Sequence, residues 1–206
     1  MPQVLNILEL GSVVSVLIYL FFASKGKSVA WIFGIIASTL SAVFFFKQNY
    51  LGSGFLNIIY GIQGVIGFLN WRFFNKEFSP GFKWNLFKHL LAWVFCISVF
   101  YFVIQLAASF NFNEFSNADI LLACFSILAT TLEIKKDTSC WYYWIISNLC
   151  YAYLYFKNPN GENMFYYASL MLFLAGFSYF ALRAWKKVTL SKSQNQLQTE
   201  ANKYQC

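Results

Sequence analysis

Trp141, Trp144 and Asn148 recur at i, i+3 and i+7, a spacing that sets two indoles and an amide on one stripe of a helix. Such a stripe suits a flat polar ring: indole faces stack on it, and the amide bonds its edge. A cationic ring gains a further cation–π attraction of about 0.5–2 kcal/mol per contact. A second set, Asn57, Tyr60 and Gln63, lies at threefold spacing in another apolar run, and Ser38 stands in a third. An amide surrounded by hydrocarbon needs partners, so each of these either bridges helices or faces a cavity or ligand. Groups for covalent chemistry are not visible. His89 is the single histidine and sits beside Lys88 at the edge of an apolar run, which excludes a histidine-based metal or catalytic cluster. No Gly-rich phosphate loop occurs, and no apolar run holds an interior Lys or Arg of the kind a Schiff base needs. The five cysteines show no paired spacing, and no disulfide or metal site is expected. The pattern points to binding without catalysis and without a cofactor.

The elements that position these residues are membrane helices. At 206 residues, 59% hydrophobic, 22% aromatic and 11% charged, the chain is too apolar for a water-soluble core with a polar surface. Apolar runs at 4–24, 28–46, 52–71, 90–109, 118–134, 139–156 and 163–184 predict seven spans within one membrane domain, 1–187. Sorting the loops by alternate faces puts thirteen of the fifteen Lys and Arg on one side and leaves only Lys47 and Lys157 on the other. By the positive-inside rule the rich face is cytoplasmic, so the N-terminus is outside and the C-terminus inside. The net charge of +7 is therefore a topology signal, and no nucleic-acid partner is expected. The first span lacks a basic n-region and a clear cleavage pattern and is expected to be retained. Residues 188–206 are polar and aromatic-poor and are expected to form a flexible cytoplasmic tail.

Sliding the chain against itself by 110 positions pairs Lys25 with Lys135, Trp31 with Trp141, Ile35 with Ile145, Ala42 with Ala152, and Lys47 with Lys157. Matched Trp and Lys at both ends of one span indicate a repeat. Two three-helix repeats, 4–71 and 118–184, run parallel because the linker helix 90–109 restores the direction. This 3+1+3, SWEET-like plan belongs to small-solute transporters, whose sites lie near the midplane between repeats. Counted inward at about 1.5 Å per residue, Trp144 lies roughly 12 Å, Gln63 roughly 14 Å, Tyr60 and Asn148 roughly 18 Å and Asn57 roughly 22 Å deep. Ser38 is the repeat partner of Asn148 and either faces the same cavity or permits close helix packing. Trp31 and Trp71 read as belt or packing residues, Trp141 as belt or slot, and Glu133 as a solvated ion pair with Lys135 and Lys136.

Lys136-Asp-Thr-Ser-Cys-Trp141-Tyr-Tyr-Trp144, continued by Asn148, resembles the basic residue, four spacers and WxxWxxxN pattern of the PnuC family. The segment from Asn57 through Tyr60, Gln63 and Gly67 to Trp71 is similar to the family's amide-containing run ending in GxxxW, and the seven spans fit its length and order. The resemblance implies a multi-pass protein of the bacterial inner membrane that imports nicotinamide riboside, an NAD precursor, by facilitated diffusion with alternating access. It also implies that Trp141, Trp144, Asn148, Asn57 and Gln63 hold the substrate. Thiamine, or another vitamin, is the alternative solute; a non-transporting sensor or scaffold is the alternative class. Beyond lipid and the small solute no partner is implied, and the oligomeric state is open, a homo-oligomer included.

Overall fold

The computed structural model describes residues 2–48, 51–109, 117–157 and 164–203. Seven long helices account for nearly all of them: α1 (Pro2–Ser24), α2 (Val29–Lys47), α3 (Leu51–Leu69), α4 (Leu86–Ser109), α5 (Asn117–Ile134), α6 (Cys140–Lys157) and α7 (Met164–Lys203). Among the described residues there is no strand, only an isolated bridge between Gly81 and Asp137. Among the described residues no proline interrupts a helix: Pro2 opens α1 and Pro80 lies in the α3–α4 connection. Four helical stretches, Gln3–Ser24, Val29–Lys47, Leu86–Leu106 and Ala168–Asn195, are long and apolar enough to cross a membrane, and Ile120–Ile134 is a shorter apolar helix. Large apolar side chains line the outside, among them Ile7, Phe55, Phe95 and Phe180, as a lipid-facing surface requires. The inside is built instead from small residues, with Ala23, Ala30, Ala129 and Ala181 fully buried, so that backbones approach closely around buried tryptophans.

α2 packs on both α1 and α3, and α6 on both α5 and α7, while α3 meets α5 and α1 meets α7 across the bundle. α4 touches α5 and presents Leu86, Phe87, Val94, Phe95 and Phe102 outward, keeping Cys96 buried. The 110-residue offset reappears in the backbone. At the α1–α2 turn Gly26 N–H donates to Ala23 O, Lys27 N–H to Phe22 O, Ala30 N–H to Lys27 O and Trp31 N–H to Ser28 O. At the α5–α6 turn the same four bonds run from Lys136 to Glu133, Asp137 to Leu132, Cys140 to Asp137 and Trp141 to Thr138. Gly26 and Lys136 both have positive φ, 65° and 55°, the left-handed closure of a helix C-terminus. Lys136 bears a steric cost there that glycine does not.

Four tryptophans finish the pattern. Trp31 meets Trp71 edge-to-face at 5.4 Å and 90°, and Trp141 meets Trp185 at 5.3 Å and 89°. Gly67 makes room for the first pair, since a Cβ there would sit 2.4 Å from the Trp31 ring. Each half also reaches into the other: Trp71 Nε1 donates to Ile134 O at 3.0 Å, and Trp185 Nε1 donates to Ala23 O at 3.2 Å. Trp71 is carried by a π-helical turn, Asn70–Phe74, closed by Asn75 N–H on Asn70 O. The extra residue of a π turn changes the rotation of side chains around the helix axis, and here it swings the indole onto the end of α5.

Two sequence expectations change at this level. The stretch read as a flexible tail from 188 continues α7 as helix to Lys203, with 204–206 outside the described residues. It contains no Gly or Pro, includes the helix formers Gln, Lys and Leu, and grows from a helix already nucleated by its buried part. Trp31 and Trp71, read as belt or packing residues, are packing residues, 2% and 3% exposed.

Candidate functional site

The α5–α6 turn sets the rotation of the WxxWxxxN stripe. Asp137 is fully buried and caps α6, its Oδ1 accepting from Ser139 N–H at 2.9 Å and Ser139 Oγ at 2.7 Å. Its Oδ2 accepts from the backbone N–H groups of Lys83 at 2.9 Å and Trp84 at 2.8 Å, pinning the α3–α4 connection over the turn. Lys136 Nζ donates to the carbonyls of Asn75 and Glu77 in that connection. Burial pushes the Lys136 ammonium down to about 8, with Lys83 adding repulsion. Lys83 is itself lowered by burial, whereas the exposed Glu77 carboxyl is lowered by its bond to Lys192.

Held this way, α6 turns Trp141 into the bundle, fully buried against Trp185 with no partner for its Nε1. Trp144, one turn on, is half-buried and donates from Nε1 to Glu133 Oε2 at 3.2 Å. Asn148 is 8% exposed, one turn beyond Trp144 on the same helix. From α3, Gln63 donates through Nε2 to Ile127 O and Thr131 Oγ1 on α5, both at 3.0 Å, while its buried Oε1 is unpaired. Tyr60 faces the Ser126 hydroxyl of α5. The α5 helix is therefore the common neighbour of the third-span and sixth-span candidates.

Two candidates stand apart from this cluster. Asn57 donates its amide N–H to Ser53 O of its own helix at 2.9 Å. Ser38 donates back to Gly34 O and Ile35 O and packs against Gly61, where a Cβ would lie 3.4 Å from its Oγ.

Glu133 corrects the sequence reading. It is no solvated ion pair: the residue is 0% exposed and accepts from Tyr19 OH of α1 at 2.6 Å and from Trp144 Nε1. The left-handed conformation of Lys136 throws its side chain toward the α3–α4 connection, and Lys135 points to Trp84, so neither lysine reaches the carboxylate. A signal was present, because Ser126, Thr130 and Glu133 follow i, i+4, i+7 in an otherwise apolar run, and all three are buried.

A separate open cavity of about 520 Å³ lies at the helix ends, lined by Gly26, Lys27, Ser28, Val29, Trp71, Arg72, Phe73 and Lys76. Its three basic side chains suit an anion and would repel a cationic ring. Among the described residues no group of His, Cys, Asp or Glu could hold a metal ion.

A helical membrane bundle with apolar walls, buried amides facing a neighbouring helix and an oriented indole is built as a solute transporter rather than an enzyme. The family of the "Nicotinamide mononucleotide transporter" matches residues 6–187, and the chain belongs to that family, as a multi-pass membrane transporter. Its fold is similar to the solved "Crystal structure of the Vitamin B3 transporter PnuC", at a TM-score of 0.70 and 19% sequence identity, covering 92% of this chain and 89% of that one. No curated protein matches the sequence.

Proposed function

We propose that this transporter carries nicotinamide riboside inward by facilitated diffusion, with the ring beside Trp144 and hydroxyl or carboxamide groups bonded to Asn148 and Gln63. Two observations support this reading: the Trp144 indole is oriented by Glu133 of α5, and Gln63, which reaches α5 from α3, keeps a buried Oε1 without a partner. Buried polar groups are normally satisfied, so an unpaired amide oxygen inside a transporter bundle is a group a ligand can complete. The riboside is favoured over the mononucleotide by charge. A phosphate calls for Arg or Lys, whereas the cluster offers amides, hydroxyls and the Glu133 carboxylate.

The mechanism rests on the two halves. All seven helices span the membrane with the lysine-rich end cytoplasmic, and the halves 4–71 and 118–184 are parallel repeats joined by α4. The matched turns and the reciprocal Trp71 and Trp185 hydrogen bonds support this arrangement. Rocking of one half on the other exposes the site alternately, and no ion is coupled. Trp141 supports Trp144 from the packed core, Tyr60 orders the α3–α5 interface, and Asn57 and Ser38 take part only if rocking frees them from their own helices. Isothermal titration of the purified protein should show binding of nicotinamide riboside that exceeds binding of thiamine and of the mononucleotide. Tighter binding of either competitor would replace this substrate assignment.

A further inference from the structure

Glu133 has two neutral donors and no counter-cation among the described residues. Its oxygens take one bond each, from the Tyr19 hydroxyl at 2.6 Å and the Trp144 indole N–H at 3.2 Å, and its side chain is sealed from solvent. The other ionisable groups that sense it are Tyr19 and Cys140, neither of which carries positive charge. Among the described residues the one ion pair joins Lys192 and Glu77, far along the lysine-rich end. Burying a carboxylate without a cation is costly, because two neutral donors replace only part of the water it loses. The cost is offset when a cation arrives.

We propose that Glu133 is the residue that selects a positively charged ring, by setting a negative charge at the edge of Trp144 that the substrate's cation completes. The inference rests on the riboside reading and deepens it. An indole whose N–H bonds to a carboxylate is polarised toward its ring face, which strengthens stacking of a cation over that face. Direct attraction between the carboxylate and the ring charge acts in the same sense in a site from which water is excluded. The corresponding position in the first half is Ala23, whose neighbour Tyr19 instead crosses over to bond Glu133, so among the described residues the device exists once.

The test compares two ligands of one shape, nicotinamide riboside with its cationic ring and the reduced dihydro form with a neutral ring. Wild type should bind the cationic form more tightly by about tenfold or more. Glu133→Gln keeps an acceptor for the indole and removes the charge, and it should abolish most of that preference, lowering affinity for the cationic ring far more than for the neutral one. An unchanged preference in Glu133→Gln overturns the role of Glu133 and leaves the riboside reading standing. Binding of neither ring by wild type overturns both. Should Glu133→Gln fail to fold, the wild-type ratio decides: equal affinity for the two rings overturns the proposal.

Discussion

The α1–α2 and α5–α6 turns share four backbone hydrogen bonds and a left-handed residue at matching positions, yet they carry different chemistry. Where the first turn has Ala23, Gly26, Lys27, Gly34 and Ser38, the second has Glu133, Lys136, Asp137, Trp144 and Asn148. Space shows the same asymmetry. The gap left at Gly34 is filled by the Tyr19 ring, which a Cβ would meet at 3.2 Å, while Trp144 occupies the corresponding position on α6. One half has kept the scaffold and filled it. The other has kept the scaffold and placed an indole, a buried carboxylate and a buried amide on it. Backbone geometry tolerates this divergence because the turn needs only its hydrogen bonds and one left-handed residue.

The asymmetry between the halves breaks most sharply at Trp144. Trp144→Ala removes the stacking face and one donor to Glu133, and it should weaken riboside binding by about 100-fold, or about 3 kcal/mol, by titration. A substitution at the matched position, Gly34→Ala, should cost less than about 1.5 kcal/mol of stability and little affinity. Asp137→Ala strips an acceptor from buried donors of the turn and of the α3–α4 connection. It should cost about 3 kcal/mol, read as a lowered melting temperature in detergent, whereas Lys27→Ala at the matched position should fall within about 0.5 kcal/mol.

The cross-bundle bonds sharpen the comparison further. Trp71→Phe and Trp185→Phe each remove one indole hydrogen bond to the opposite half and should each cost about 1 kcal/mol. Both should change the rate of riboside exchange in liposomes more than its equilibrium affinity, since neither indole is among the groups proposed to touch the riboside. The smallest effect concerns pH. Lys136 loses its proton near pH 8 when folded and higher when unfolded, so the unfolded chain binds more protons above pH 8. Its contribution to stability therefore rises as pH climbs from about 8 toward the ordinary lysine range, and Lys136→Met should flatten that slope in melting temperature.

Much of the architecture was readable in the sequence. Charged turns between apolar runs place the seven helices within a few residues, because helix is the only open-chain way to satisfy a backbone in hydrocarbon. The match between the α1–α2 and α5–α6 turns was readable because Trp31 and Trp141 each meet a packing need that only a large ring fills. The WxxWxxxN stripe was readable for the same periodic reason. Side-chain direction was not. Adjacent Glu133, Lys135 and Lys136 look like a solvated cluster in one dimension, and only the left-handed turn at Lys136 separates carboxylate from lysines. Depth suggested Asn57 and Ser38 as site residues, but depth does not reveal that each donates to a carbonyl of its own helix. The helical continuation of α7 escaped because composition reports solvation and not the nucleus on which a polar stretch grows.

An indole anchored on Glu133, with amides near it, is proposed to carry a riboside without energy input. The most direct test is to reconstitute the purified protein in liposomes and follow labelled nicotinamide riboside with no ion gradient. The label should equilibrate to equal inside and outside concentrations, and this equilibration should be lost with Trp144→Ala while the variant still melts cooperatively. Label that enters only under an imposed proton or sodium gradient, or as readily through Trp144→Ala as through wild type, would contradict it.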